Sequence, residues 1–225
     1  MVIFGAFIVN ALVLLNSRGA FVGAFVGSYL FMWSMAVSKL RSEHQNKALL
    51  IFIVGGFIAL SLVIDQSFID RISTLSDVED QDKSGSYRVL FWLIAFQQSF
   101  EYPFGVGAYG FEILSPGYVP ESYMHNSRSG LKAVHSIWLQ VLSEIGWLGF
   151  TGFMALIVST FRLLTKMKKQ LAQTGDYKNY YLVQALLSSY LGYLASASFI
   201  NMFRVHVLYF LTLFTCCLYS ILIIQ

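Results

Sequence analysis

Residues 20–38 read AFVGAFVGSYLFMWSMAVS, a stretch of 19 residues without a charged side chain. A helix needs roughly 20 apolar residues to cross the hydrocarbon core of a bilayer, so this stretch predicts a membrane-spanning helix. The small residues Gly23, Gly27 and Ser28 within it permit close packing against a neighbouring helix. The chain is therefore expected to fold in a membrane.

The composition of the whole chain predicts the same class of protein. Of its 225 residues, 56% are hydrophobic and 12% are charged, and that charged share is about half the usual one for soluble domains. The net charge is only +3, and no run of Lys or Arg indicates a nucleic-acid partner. Cys216 and Cys217 are adjacent in an apolar run, which suits neither a disulfide framework nor a metal site. We expect both cysteines to pack in the core, and we expect no metal and no cofactor.

Further apolar runs predict additional spans at residues 2–16, 48–64, 147–161, 180–199 and 205–224. The first run is slightly short, which indicates that the chain begins inside a helix of a longer protein. Between the third and fourth spans the composition changes to charges, prolines, tyrosines and glycines. We therefore predict an all-α, polytopic transmembrane helix bundle, with three helices in residues 1–64, an extracytoplasmic loop region in 65–146 and three helices in 147–225.

Two short helices are predicted inside the loop region. Residues 87–100 have a helical apolar pattern with Ser86 as N-cap, and they are too short to span, so they are expected at the membrane interface or dipping into it. Residues 136–145 predict a helix with a polar stripe, formed by Ser136, Gln140, Ser143 and Glu144.

The distribution of basic residues predicts the orientation. Loops 39–47 and 166–178 are both basic and belong on the cytoplasmic side by the positive-inside rule. The loop region 65–146 then lies on the opposite, outer face, together with the turn that carries Arg18 and the turn that carries Arg204 and His206.

Three arginines on this outer side suit an anionic ligand. Arg88 follows Ser84-Gly85-Ser86-Tyr87 and would lie in the first turn of a helix, where free backbone N–H groups and the helix dipole favour an anion. A guanidinium there can bind phosphate oxygens in a bidentate fork. Arg18 and Arg204 would join it if the helices pack side by side, and three converging arginines suit a diphosphate. A membrane-anchoring role is the alternative for each of them.

His135 is the candidate general base. It lies just before a helix, whose dipole would lower its pKa and keep the imidazole neutral, so that it can accept a proton from a sugar hydroxyl. A helix-capping or interfacial role is equally open. His125, His206 and Glu144 are supporting candidates, and Glu144 either packs in a polar interior or belongs to the site.

Gly105-Val106-Gly107-Ala108-Tyr109-Gly110 has the letter pattern of a dinucleotide-binding fingerprint. No βαβ unit surrounds it, and a short amphipathic helix followed by Pro103 precedes it, so that reading is rejected. We interpret the glycines as shaping a turn at the membrane surface.

Four motifs, taken in order, resemble the O-antigen ligase and polymerase superfamily. They are NSRG at 16–19, RVLFW at 88–92, PFGVGAYGF at 103–111 and HSIWLQVLSEIGWLG at 135–149. The resemblance covers about residues 10–165. Members of this family are polytopic glycosyltransferases of the bacterial inner membrane, and they have more spans than this chain. The resemblance therefore implies that the chain is the C-terminal half of such an enzyme.

The resemblance also implies a reaction and a site. A glycan would pass from a polyprenyl diphosphate carrier to a lipid A core, a glycan or a protein acceptor on the periplasmic face, without metal or nucleotide. Arg18 and Arg88 would hold the diphosphate, and His135 would act on the acceptor. Two departures, Ser136 where many members have asparagine and a lengthened loop at 112–134, leave the acceptor open. A transporter for an anionic solute or a lipid-linked glycan is the alternative, although transporters place their site near the bilayer midplane.

Overall fold

The computed structural model of the protein describes residues 18–38, 40, 45–63, 78–119 and 133–224. These residues form helices, turns and connecting segments, with no strand among them, so the predicted all-α class is confirmed. A 3₁₀ turn at Ser115–Gly117 follows the fourth helix, and a π-helical turn at Ser220–Ile224 follows the last. In chain order the helices are α1 (Arg18–Val37), α2 (Gln45–Val63), α3 (Val78–Glu101), α4 (Gly110–Leu114), α5 (Ile137–Thr174), α6 (Tyr177–Ala197) and α7 (Val207–Tyr219).

Three helical segments in the described part of the chain are long and apolar enough to cross a membrane. They are Gly19–Val37, Ile137–Thr174 and Val207–Ile224. They contain most or all of the predicted spans 20–38, 147–161 and 205–224, and they confirm the predicted membrane bundle. The predicted spans 48–64 and 180–199 overlap α2 and α6 and stay predictions, while 2–16 lies outside the described residues.

Helix α5 runs further than the predicted span, because no proline or glycine interrupts it between Gly152 and Gly175. Gly175 has a φ of 72°, and the N–H of Asp176 donates to the carbonyl of Leu171 at 3.2 Å, which is a Schellman end. The predicted basic loop 166–178 is therefore wrong in its extent. Its cations lie mainly on α5 itself, more than one turn before the end of the helix; they are Lys166, Lys168 and Lys169.

Helix α3 also differs from its prediction, since it has 24 residues and begins at Val78 rather than after an N-cap at Ser86. The stretch Ser84-Gly85-Ser86 has low helix propensity but does not interrupt the helix.

The chain divides into two compact units, of which the first contains Met1–Asp77, Arg162–Ser196 and Leu208–Gln225. In this unit α1 and α6 approach closely. A Cβ placed on Gly192 would lie 2.6 Å from the carbonyl oxygen of Gly23 and 3.1 Å from the Cα of Gly27. The predicted role of these two glycines of α1 in close helix packing is confirmed.

The second unit contains Val78–Phe161 and Ala197–Val207. Its apolar core joins α3, α4 and the segments on either side of the undescribed stretch 120–132. The indole N–H of Trp92 donates to the carbonyl of Val134 at 3.0 Å, which holds residues 133–136 against α3. The buried members of this core are Phe91, Ile94, Ala95, Phe111, Val119 and Val134.

Helix α5 is broken at Gly146, whose φ of 68° and ψ of −172° are not helical. The break frees the carbonyls of Ser143 and Glu144, which accept hydrogen bonds from the N–H groups of Val106 and Gly107, both at 2.9 Å. In return, the N–H of Trp147 donates to the carbonyl of Pro103 at 2.9 Å. The loop after α3 thus supplies the hydrogen bonds that the broken helix would otherwise lack.

The two backbones approach so closely at this point that only glycine fits. A Cβ on Gly146 would lie 2.3 Å from the carbonyl oxygen of Pro103, and a Cβ on Gly105 would lie 2.4 Å from that of Glu144. Both glycines have a positive φ, 68° and 86° respectively. The prediction that glycines in this stretch shape a turn is confirmed, and the turn is fitted to the break in α5.

We expect the substitution Gly146→Ala to lower the free energy of unfolding by about 2–4 kcal/mol, because the added methyl meets fixed backbone atoms at an unfavourable φ. Gly152→Ala on the same helix is the matched control, since a Cβ there meets nothing within 4 Å. Its stability should be unchanged or slightly raised. Unfolding in detergent measures both variants, and equal stabilities would contradict the close approach.

Candidate active site

Arg88 and His135 come together in the second unit. Arg88 lies on α3 one turn before Trp92, and the indole of Trp92 holds Val134, the neighbour of His135. Both candidate side chains are partly buried. The positive charge of Arg88 reaches the imidazole and helps to lower the pKa of His135. The structure therefore places Arg88 close enough to His135 for its charge to act on the imidazole.

The local setting of Arg88 differs from the expected one. Because α3 begins at Val78, Arg88 is well inside the helix and not in its first turn. The backbone N–H groups around it are used in helical hydrogen bonds, so the expected anion site at a helix N-terminus is wrong. Any anion bound by Arg88 would be bound by the guanidinium itself.

His135 has a pKa below its usual value of 6.5, chiefly because burial disfavours the charged imidazole and secondarily because of the charge of Arg88. The predicted direction is confirmed, and the causes that the structure shows are burial and a nearby cation. The backbone of His135 is left-handed, with a φ of 54°. Such strain in a residue other than glycine is commonest at functional sites.

Glu144 is buried and paired with Arg204. The Nε of Arg204 donates to one carboxylate oxygen at 3.2 Å, and its Nη2 donates to the other. The Nε2 of Gln140 donates to the same carboxylate at 3.2 Å, while its Oε1 accepts from the N–H of Phe203 at 3.2 Å. The turn between α6 and α7 is thereby tied to the end of the helix just ahead of the break.

Arg204 makes two further contacts with the segment that follows the glycine-rich loop. Its guanidinium carbon lies 3.4 Å from the ring centroid of Tyr109, and its Nη2 lies 3.5 Å from a carboxylate oxygen of Glu112. The hydrogen bond to Glu144 raises the pKa of Arg204, although partial burial opposes this. The guanidinium therefore compensates buried negative charge, and its predicted role as a diphosphate ligand stays a prediction.

Three residues of this cluster were not predicted from the sequence: Phe203, Tyr109 and Glu112. Gln140 and Glu144 were visible as polar residues four apart on an apolar helix, but the backbone contact to Phe203 was not. Tyr109 and Glu112 carried no signal beyond their position in and after the glycine-rich loop. Tyr109 has a φ of 62° and is, with His135, one of two described residues other than glycine with a positive φ.

The remaining candidates are less informative. Arg18 is the first residue of α1, and its side chain is not among those described; His125 lies outside the described residues. His206 is exposed in the turn before α7. Within the part of the chain that the structure describes, no group of three or more His, Cys, Asp or Glu could hold a metal ion.

The fold and the site together define a multi-pass membrane protein with a cluster of charged and ionisable groups beside a broken helix. A family model described as O-antigen ligase matches residues 3–154. Since this is more than half of the 225 residues, the chain belongs to the O-antigen ligase family. Neither a curated protein nor a solved structure matches it significantly.

Membership has direct consequences for class and location. The chain is a membrane glycosyltransferase of the ligase or polymerase type, which uses a lipid-linked glycan donor and a glycan or lipid acceptor. With its apolar helices, it is a multi-pass protein of the bacterial inner membrane. The family resemblance seen in the sequence is confirmed. Arg18, Arg88, His135 and Glu144 lie within the matched residues, whereas Arg204 lies beyond them.

We expect Arg204→Met to lower the free energy of unfolding by about 3 kcal/mol, because the buried carboxylate of Glu144 loses its compensating charge. Adding Glu144→Gln should recover part of this loss, since a neutral amide needs no counter-ion. Arg162→Met, at an exposed arginine on α5, is the control and should change little. Denaturation in detergent gives the coupling, and strictly additive losses at Arg204 and Glu144 would contradict the pairing.

We expect Arg88→Gln to raise the pKa of His135 toward 6.5, because one of the two causes that lower it is removed while burial remains. The other histidines, His44, His125 and His206, are first replaced by Gln. Diethylpyrocarbonate modifies the neutral imidazole, so the pH dependence of its reaction gives the midpoint. The parent should have a midpoint below 6.5, Arg88→Lys should keep it, and Arg88→Gln should shift it upward. An identical midpoint in the parent and Arg88→Gln would show that Arg88 does not act on His135.

Proposed function

We propose that the enzyme transfers a glycan from a polyprenyl diphosphate carrier, of the undecaprenyl type, to an acceptor hydroxyl on the periplasmic face of the membrane. The observation that carries this proposal is that the charge of Arg88 acts on the imidazole of His135, whose neighbour Val134 is held against α3 by Trp92. A cation beside a partly buried, neutral imidazole suits a reaction in which an anion departs while a hydroxyl group loses its proton.

In this mechanism the acceptor oxygen attacks the anomeric carbon of the donor sugar. The bond between that carbon and the diphosphate oxygen breaks, and its electron pair leaves with the diphosphate. A ring nitrogen of His135 takes the hydroxyl proton, a form of assistance worth about 10²–10⁴-fold. Arg88 stabilises the charge that grows on the diphosphate, and loss of one such group costs roughly 2.7–4 kcal/mol in comparable oxyanion sites.

The arginines have different tasks in this proposal. Arg88 binds the diphosphate, with Arg18 as a second ligand on the strength of the family resemblance. Arg204 was expected as a third ligand, but its ion pairs with Glu144 and Glu112 favour a role in holding the end of the first half of α5. His206 and His125 are at most supporting residues. The diphosphate is already an activated leaving group, so the proposed reaction needs neither nucleotide nor metal.

The periplasmic location is supported by the two ends of α5. His135 immediately precedes this helix, whereas Lys166, Lys168 and Lys169 lie on its last turns. Because cytoplasmic ends of membrane helices are enriched in Lys and Arg, the end that carries His135 belongs on the periplasmic side. The acceptor is one of three molecules: a lipid A core, a growing glycan or a protein. A lipid A core as acceptor would make the enzyme part of lipopolysaccharide synthesis.

We expect Arg88→Ala to reduce glycan transfer by about 10²–10³-fold, because a group that stabilises the departing diphosphate is lost. Membranes are supplied with a polyprenyl-diphosphate-linked oligosaccharide, and the products are separated by size. Arg162→Ala is the matched control and should retain activity, and the amount of inserted protein is compared by immunoblot. Near-normal transfer by Arg88→Ala would remove Arg88 from the site.

The same assay separates the reaction types. A ladder of products indicates a polymerase, and one discrete product on lipid A core or protein indicates a ligase. Uptake of solute without any glycan product would overturn the enzyme assignment in favour of the transporter.

A further inference from the structure

Helix α3 presents an exposed apolar stripe. The four exposed residues that form the stripe follow one another at intervals of four, three and four positions, so they lie on one face of the helix. Leu93 is 62% exposed and Phe100 is 63% exposed. The opposite face contributes Phe91, Ile94 and Ala95 to the core of the second unit, so large apolar side chains lie on both faces of this helix. The stripe consists of Val89, Leu93, Phe96 and Phe100.

The stripe continues from α3 to the second half of α5. Phe104, in the loop after α3, is 82% exposed. The ring of Trp147 lies 6.4 Å from that of Phe96 and 5.7 Å from that of Phe100, and its indole N–H donates to the carbonyl of Ser99 at 3.1 Å. Leu148, the next residue, is 74% exposed. One exposed apolar surface therefore runs from α3 to the part of α5 that is apolar enough to cross a membrane.

Polar groups border the stripe on both sides. On one side Gln97 donates to the carboxylate of Glu101 at 3.3 Å, and both side chains are exposed. On the other side lie Arg88 and Trp92, each one residue before a member of the stripe and so about 100° around the helix from it. An apolar band with polar flanks is the pattern of a helix that lies in a membrane surface.

We propose that α3 lies along the bilayer surface with the stripe and Phe104 among the lipid acyl chains. Water is an unfavourable environment for this surface, since burial of each large apolar side chain away from water lowers the free energy. A second protein segment would have to cover the stripe and the start of a membrane-crossing helix together. Lipid covers both without interruption, and Trp147 at the junction is the residue type enriched at membrane interfaces.

The membrane contact of α3 is argued independently of the proposed function, and only its consequence for the reaction rests on that function. Arg88 and Trp92 flank the stripe, and Trp92 holds the segment with His135, so the site would lie at the level of the lipid headgroups. The diphosphate of a lipid-linked donor lies at that level too. The donor would reach Arg88 by lateral diffusion, with its isoprenoid chain still in the bilayer.

The test measures which medium each face of α3 contacts. Spin labels are attached to single cysteines at Leu93→Cys and Phe100→Cys, with Gln97→Cys as the matched control, in a chain that carries Cys216→Ser and Cys217→Ser. The protein is reconstituted in vesicles of phosphatidylethanolamine and phosphatidylglycerol. Collision rates are measured with oxygen, which concentrates among acyl chains, and with a water-soluble nickel chelate. We expect oxygen to be favoured several-fold at Leu93 and Phe100, and the nickel chelate at Gln97.

Two outcomes would overturn the proposal. Nickel access at Leu93 and Phe100 would mean that the stripe faces water, and exclusion of both reagents would mean that protein covers it. Thermal unfolding of each labelled variant confirms that it is folded. The measurement requires no transfer activity, so loss of the proposed function at Arg88 and loss of the membrane contact at the stripe are distinguishable results.

Discussion

The exchange of backbone hydrogen bonds at the break in α5 is the interaction on which the site depends. A helix cannot be broken in a poorly hydrated environment unless its free carbonyl and N–H groups find partners, and the loop from Pro103 to Gly107 provides them. The contact fixes the end of α3 and the start of α4 against the middle of α5. The carboxylate of Glu144 is thereby held beside Arg204, and the segment that carries Tyr109 and Glu112 is brought to the same guanidinium.

Arg204 and Arg88, both in the second unit, have different electrostatic surroundings, and this difference indicates different roles. Arg204 forms ion pairs with two carboxylates, those of Glu144 and Glu112. Arg88 acts instead on a neutral imidazole. A guanidinium whose charge is compensated by buried carboxylates stabilises the fold, whereas one that faces a neutral group keeps its attraction for an added anion. This difference, and not the number of arginines, favours Arg88 as the diphosphate ligand.

Local sequence patterns predicted much of the fold and less of the site. The span at 20–38 was predicted from length and hydropathy, and the turn after α3 was predicted from its glycines. These are local properties of the sequence, and both predictions were confirmed. The start of α3 was missed because Ser86 was interpreted as an N-cap, whereas the helix begins at Val78 and continues through Ser84-Gly85-Ser86. The pair of Glu144 and Arg204 is separated by 60 residues, and contact at such a distance leaves no local pattern. The lowered pKa of His135 was predicted in direction, but its main cause, burial, is a tertiary property that the local sequence does not show.

The lowered pKa of His135 has a consequence for the order of events in the proposed reaction. With no donor bound, burial and the charge of Arg88 both keep the imidazole neutral, and a low pKa also makes it a weak base. A diphosphate bound at Arg88 would offset the positive charge and add negative charge nearby, so the pKa of His135 would rise. The histidine would then become a stronger base once the donor is in place. Arg88 would therefore have two effects. It would bind the diphosphate, and it would keep His135 a weak base for the acceptor hydroxyl until the diphosphate is bound.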